Sequence, residues 1–140
     1  MNFLVLSRKN AIEFSGKEHQ TPYIIISITD VNSENVVFKE SSQLKGIVRL
    51  KFNDTDSEGV PAITSKDAKQ IIDFVEEWKN HVELIVVHCE AGISRSSGVC
   101  AALMLWLNGD DTPVFDNAFY KPNMRCYRTI LNEALKSDYI

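Results

Sequence analysis

Leu84-Ile85-Val86-Val87-His88-Cys89-Glu90-Ala91-Gly92-Ile93-Ser94-Arg95-Ser96-Ser97-Gly98 joins a wholly apolar run to a second apolar stretch, Val99–Leu107, through one short polar loop. Four apolar residues in a row, two of them valine, suit a strand covered on both faces. Ser96 to Leu107 is apolar nearly all round, as a buried helix is, and Asn108-Gly109 stops it. A strand that turns directly into a helix puts the loop where α/β folds bind ligands, at the carboxyl end of a strand and the amino end of a helix. The free amides and the dipole of a helix start attract an anion.

The flanking sequence extends this pattern. Thr64-Ser65-Lys66-Asp67 has the form of a capping box, and Ala68, Ile71, Ile72, Val75 and Trp78 follow on one face of a helix. Thr112-Pro113 reads as a cap with a first-turn proline. Met124, Tyr127, Ile130, Leu131, Ala134 and Leu135 give a last amphipathic helix. The first half reads as strands separated by polar loops: Phe3–Leu6, Tyr23–Ile28 after Pro22, and Ile47–Phe52 after Gly46. Residues 30–45 are polar and aperiodic except at Val36-Val37-Phe38. The expected fold is a single α/β domain over residues 1–140, a central, mainly parallel sheet flanked by helices.

Composition narrows the function. The chain has 140 residues, 44% apolar and 24% charged, with a net charge of −4. Its lysines and arginines are scattered, which argues against a phosphate-gripping nucleic-acid binder. The longest apolar runs are too short to span a bilayer, and the N-terminus lacks signal-peptide features. Three cysteines without framework spacing fit a reducing compartment, so the expected location is cytoplasmic. No metal-binding motif is present, and neither a metal nor another cofactor is expected. Cys100 and Cys126 read as packing residues.

In the loop itself, Cys89 is placed at the base of an anion cradle. A free thiol has a pKa near ~8.5, and helix amino ends and cations lower it, so Cys89 is expected as a thiolate nucleophile. Successive amides of Glu90, Ala91, Gly92, Ile93, Ser94 and Arg95 can curl around a phosphate, with Gly92 supplying the turn. Arg95 follows Cys89 after five intervening positions, and its planar fork can hold two phosphate oxygens. Phosphoryl transfer is largely positioning and electrostatics, so these parts cover most of the need. A proton donor for the leaving group is expected just beyond the third strand, where Asp54, Asp56 and Glu58 stand. Gly59 and Pro61 bracket the far side of that loop.

His88, Cys89, Gly92, Arg95 and Ser96 together resemble the His-Cys-x-x-Gly-x-x-Arg-Ser signature of the protein tyrosine phosphatase superfamily. The fuller His-Cys-x-Ala-Gly-x-Ser-Arg-Ser form is similar to its dual-specificity branch and small bacterial relatives. The resemblance extends over roughly residues 46–135 and implies a metal-independent phosphatase acting through a phosphocysteine. It implies that His88 tunes the thiolate, that Ser96 helps the thiol leave, and that Asp54, in Asn53-Asp54-Thr55, is the general acid with Asp56 second. Asn123, in a Pro-Asn element, is similar to a residue that holds neighbouring loops. The implied partner is a phosphorylated protein or peptide, phosphotyrosine first and phosphoserine or phosphothreonine second, with a monomer as default. The alternatives are a phosphoinositide or RNA 5′-phosphate substrate, against which the absence of a base at positions 90, 91, 93 and 94 weighs, and a non-catalytic phosphate-binding module.

Overall fold

A computed structural model describes residues 1–55 and 61–137. In chain order the elements are β1 (Asn2–Leu6), α1 (Arg8–Gly16), β2 (Tyr23–Thr29), β3 (Leu44–Lys51), α2 (Ser65–Trp78), β4 (Leu84–His88), α3 (Arg95–Asn108), α4 (Thr112–Phe115) and α5 (Met124–Ser137). The four strands form one parallel sheet in the order β1-β4-β2-β3. The two strands that read as most continuously apolar, β2 and β4, lie at its centre, because only there are both faces covered.

Alternation along β2 and β4 splits the core in two. Ile24, Ile26, Ile28, Ile85 and Val87 face a large cluster with residues of α2, α3 and α5. Tyr23, Ile25 and Val86 face a smaller one with Ala11 of α1 and with Val36 and Phe38. Each fully buried isoleucine contributes roughly 1.5–3 kcal/mol. The two buried side chains at 36 and 38 therefore anchor the irregular stretch before β3.

Three elements differ from the sequence expectation. Helix α1 lies where polar loop was expected. Ser7 caps it by accepting from the Asn10 amide at 3.1 Å, but the helix is weakly amphipathic and buries only Ala11 and Ser15, so it carries little periodic signal. Strand β3 begins at Leu44 and not after Gly46, since Gly46 lies within the strand where a Cβ would come 2.9 Å from the Trp78 ring nitrogen. In α4, Asp111 is the N-cap residue and Thr112 the first helical one, because Thr112 donates its amide and hydroxyl back to Asp110 at 3.0 and 2.7 Å. The expected capping box at Thr64 is present, with the Asp67 amide 3.2 Å from Thr64 Oγ1 and the Thr64 amide 3.0 Å from Asp67 Oδ2. Gly109 ends α3 in the left-handed conformation, φ +73°.

Candidate active site

The loop between β4 and α3 is held open by its surroundings. Gly92 has φ +71°, and a Cβ there would stand 2.5 Å from the Ser7 nitrogen and 2.6 Å from the Leu6 carbonyl carbon. Only glycine lets the loop take this turn against the β1–α1 junction. The turn aims the Gly92 amide at Cys89 Sγ, 3.3 Å away, and Ser96 Oγ lies 3.1 Å from the same sulfur. Ser97 Oγ donates to the Ile93 and Ser94 carbonyls at 2.6 and 3.0 Å, bracing the loop from the helix side.

Arg95 is 5% exposed, and its orientation is set by a residue the sequence did not single out. Nη1 reaches Asp30 Oδ1 and the Phe52 carbonyl, each at 2.7 Å. The guanidinium Nε is buried and has no protein partner among the described residues. A buried donor left unmet costs about 1–3 kcal/mol, which an anion on the Nε–Nη2 edge would relieve. Asp30 stands just past the carboxyl end of β2, the strand beside β4, and nothing in the sequence sets it apart from the other polar residues of 30–45.

His88 is fully buried. Its Nε2 lies 2.6 Å from Ser27 Oγ and its Nδ1 3.0 Å from the Cys89 carbonyl. Since a carbonyl only accepts, Nδ1 carries the proton and Nε2 accepts from the serine. Burial pushes the imidazole pKa below its usual value, outweighing the Cys89 carbonyl bond and the Glu90 charge that pull it up. The neutral ring thus braces the backbone at Cys89 from β2. Burial pushes the Cys100 thiol far up and the Cys126 thiol up to about 12, so both are held as thiols in the core.

Asp54 meets the loop from the far side. Its Oδ1 accepts from Ser94 Oγ at 2.9 Å and from Asn123 Nδ2 at 2.8 Å. Asn123 in turn accepts the Cys126 amide on Oδ1 at 2.9 Å, and its own amide donates to the Ser94 carbonyl at 3.0 Å. Asn123 therefore ties Asp54, the β4–α3 loop and the start of α5 together. The other acid candidates, Asp56 and Glu58, with Gly59 beside them, lie outside the described residues. Asp54, Cys89, Glu90, Ala91, Ile93, Ser94, Arg95 and Lys121 line one cavity of about 390 Å³. Lys121 carried no distinguishing signal in the sequence, being one of its scattered lysines and arginines. Its place at the cavity follows from its amide bond to the Ile93 carbonyl, 3.0 Å, a contact no spacing rule announces. Arg125, near the start of α5, donates Nε to the Ile63 carbonyl at 3.3 Å. Among the described residues no three His, Cys, Asp or Glu side chains group as metal ligands, and no helix is long and apolar enough to cross a membrane.

Comparison with known proteins agrees with this geometry. Residues 5–114 match the family described as "Dual specificity phosphatase, catalytic domain". That match begins in β1, well before the residue-46 limit read from the sequence, and ends in α4, short of the residue-135 limit. A stretch of 39 residues is 44% identical to dual specificity protein phosphatase 1-A of Xenopus laevis, covering 28% of this chain and 11% of that protein. The fold is similar to that of human DUSP28, with TM-score 0.63 and 14% identity over 97% of this chain and 93% of the other. It is also similar to the human tyrosine phosphatase-like serine/threonine/tyrosine-interacting protein (TM-score 0.55, 19% identity, 84% and 76% covered). A third similar structure is PTPMT1 in complex with PI(5)P, with TM-score 0.53, 16% identity, and 82% and 78% covered.

Proposed function

The chain belongs to the dual specificity phosphatase catalytic-domain family, and on that premise we propose that it is a metal-independent phosphomonoesterase that works through a phosphocysteine. The observation that carries this reading is the convergence on one cavity of Cys89 Sγ, with the Gly92 amide and the Ser96 hydroxyl beside it, and Arg95 with its buried Nε, which has no partner among the described residues.

Cys89 Sγ attacks phosphorus while the P–O bond to the leaving group breaks. Arg95 holds two non-bridging oxygens through its Nε–Nη2 edge, and the loop amides take the third. Asp54 gives its proton to the departing oxygen. Because Oδ1 already accepts two hydrogen bonds, the proton travels on Oδ2. Water then attacks phosphorus, Asp54 takes a proton from it, and the S–P bond breaks with Ser96 Oγ donating to the departing sulfur. Inorganic phosphate leaves.

The preferred substrate in this reading is phosphotyrosine in a protein, with phosphoserine or phosphothreonine second. Glu90 at the loop and the lack of a base at positions 90, 91, 93 and 94 support it over more highly charged substrates. Lys121 is the observation that favours the second reading, a substrate with another phosphate such as a phosphoinositide: it lines the cavity and forms no ion pair among the described residues. A cytoplasmic location belongs to the same proposal. The test is hydrolysis of an aryl phosphate in EDTA by wild type, Cys89→Ser, Arg95→Lys and Asp54→Asn, followed by phosphopeptides and phosphoinositide vesicles. Turnover by wild type, none by Cys89→Ser, and a lost decline at high pH in Asp54→Asn support the mechanism. Folded wild type that binds a phosphate analogue yet hydrolyses none of these substrates would make it a phosphate-recognition module instead.

A further inference from the structure

Glu90 follows the nucleophile directly and is the one acid among positions 90–94. Glu90 is among the residues that line the cavity holding Cys89 and Arg95. Left alone there, it would repel an arriving phosphate dianion, since such repulsion acts across about a Debye length, ~8 Å in physiological salt.

Arg8, the first residue of α1, meets the Glu90 carboxylate from the β1–α1 junction. Its Nη1 lies 3.3 Å from Glu90 Oε1, and Nη2 donates to the Glu34 carbonyl at 3.2 Å. The Arg8 amide also donates to the Glu90 carbonyl at 3.1 Å. One residue thus holds both the side chain and the backbone of Glu90. The guanidinium is itself fixed by its second bond, to the stretch that Val36 and Phe38 anchor under the sheet. The β1–α1 junction touches the loop again at Gly92, where Leu6 and Ser7 leave no room for a Cβ. Arg8 does not line the cavity, so its influence on an anion there passes through Glu90.

We propose that Arg8 is a positioning residue for the phosphate loop: it neutralises Glu90 and draws it aside, so that the cradle accepts a phosphate dianion despite an acid next to the nucleophile. The inference rests on the phosphatase reading of the site, and it gives α1 a function in substrate binding. A unit charge uncovered several ångströms from the phosphate, at the water-rich mouth of the cavity, weakens binding about threefold to tenfold.

The experiment compares wild type, Arg8→Met, Arg8→Lys and the double variant Arg8→Met/Glu90→Gln. Methionine keeps the aliphatic stem, and thermal melting verifies that each variant is folded. Aryl phosphate hydrolysis gives KM and kcat, and calorimetric titration with inorganic phosphate gives Kd, each at low and high salt. The expected result is a KM and Kd raised about threefold to tenfold in Arg8→Met with kcat within about twofold, the gap closing in high salt. Arg8→Lys recovers part of the loss, and the double variant returns to within about twofold of wild type. If Arg8→Met binds phosphate as wild type does, or if the double variant stays as impaired as the single one, the charge role is wrong and Arg8 only packs. If wild type hydrolyses no aryl phosphate, the phosphatase reading has failed separately, and the titration alone decides the role of Arg8.

Discussion

Gly98 sits in the second turn of α3, where alanine would ordinarily favour the helix by about 1 kcal/mol. Here a Cβ would stand 2.4 Å from the Asn123 carbonyl oxygen, 3.1 Å from its nitrogen and 3.2 Å from Cys126 Cβ. The nearest atom is backbone, so no rotamer change relieves it; the segment entering α5 must retreat by somewhat under an ångström to restore van der Waals contact. Overpacking costs about 1–3 kcal/mol, and a Cβ pressed to 2.4 Å against backbone falls in the upper part of that range, about 2–3 kcal/mol, so after the helix gain of about 1 kcal/mol a net loss of about 1–2 kcal/mol remains. For a domain of this size that lowers Tm by about 3–8 °C. The retreating residue is the one whose Nδ2 holds Asp54 and whose amide holds Ser94, so the acid moves with it. Misplacing a catalytic group by this much lowers kcat about tenfold or more. Thermal melting and aryl phosphate kinetics on Gly98→Ala read both effects. A variant as stable as wild type with unchanged kcat would refute the packing argument and, with it, the role given to Asn123.

Asp30→Ala removes the charged anchor of Arg95 while leaving the Phe52 carbonyl in place, and kcat/KM for an aryl phosphate should fall about tenfold, the worth of one charge-assisted bond. An unchanged kcat/KM would show that the Phe52 carbonyl suffices. For His88, burial lowers the folded-state pKa below the ordinary 6.5, so the unfolded chain binds more protons at mildly acid pH. Stability should therefore fall as pH drops below 6.5 and level off once pH passes the folded-state pKa. Urea denaturation at a series of pH values should show this slope in wild type and a flatter one in His88→Gln; parallel slopes would mean that other groups govern it.

Most of the frame was legible in the sequence. Apolar runs at Tyr23–Ile28 and Leu84–Val87 identify strands covered on both faces, and the one-faced spacing from Ala68 to Trp78 identifies α2, because burial imposes a period that composition records. Helix α1 escaped because its cap and two small buried residues leave almost no periodic trace. The β4–α3 loop was legible because its partners are neighbours in sequence: Cys89, Gly92, Arg95 and Ser96 fall within one strand–turn–helix step.

What the sequence determined by itself is this local chemistry, since chain connectivity alone brings a thiol, a turn glycine and a guanidinium to one helix start. The tertiary structure decided everything that reaches the loop from elsewhere. Asp30 meets Arg95 from β2, Arg8 meets Glu90 from α1, and Asn123 meets Asp54 across 69 positions. Each is a polar residue at the end of an element, where ion pairs and hydrogen bonds leave no periodicity behind. The parallel sheet order β1-β4-β2-β3, which gathers the carboxyl ends of its strands on one edge, puts Arg8 and Asp30 beside the Cys89 loop, and the packing of α5 against α3 brings Asn123 there.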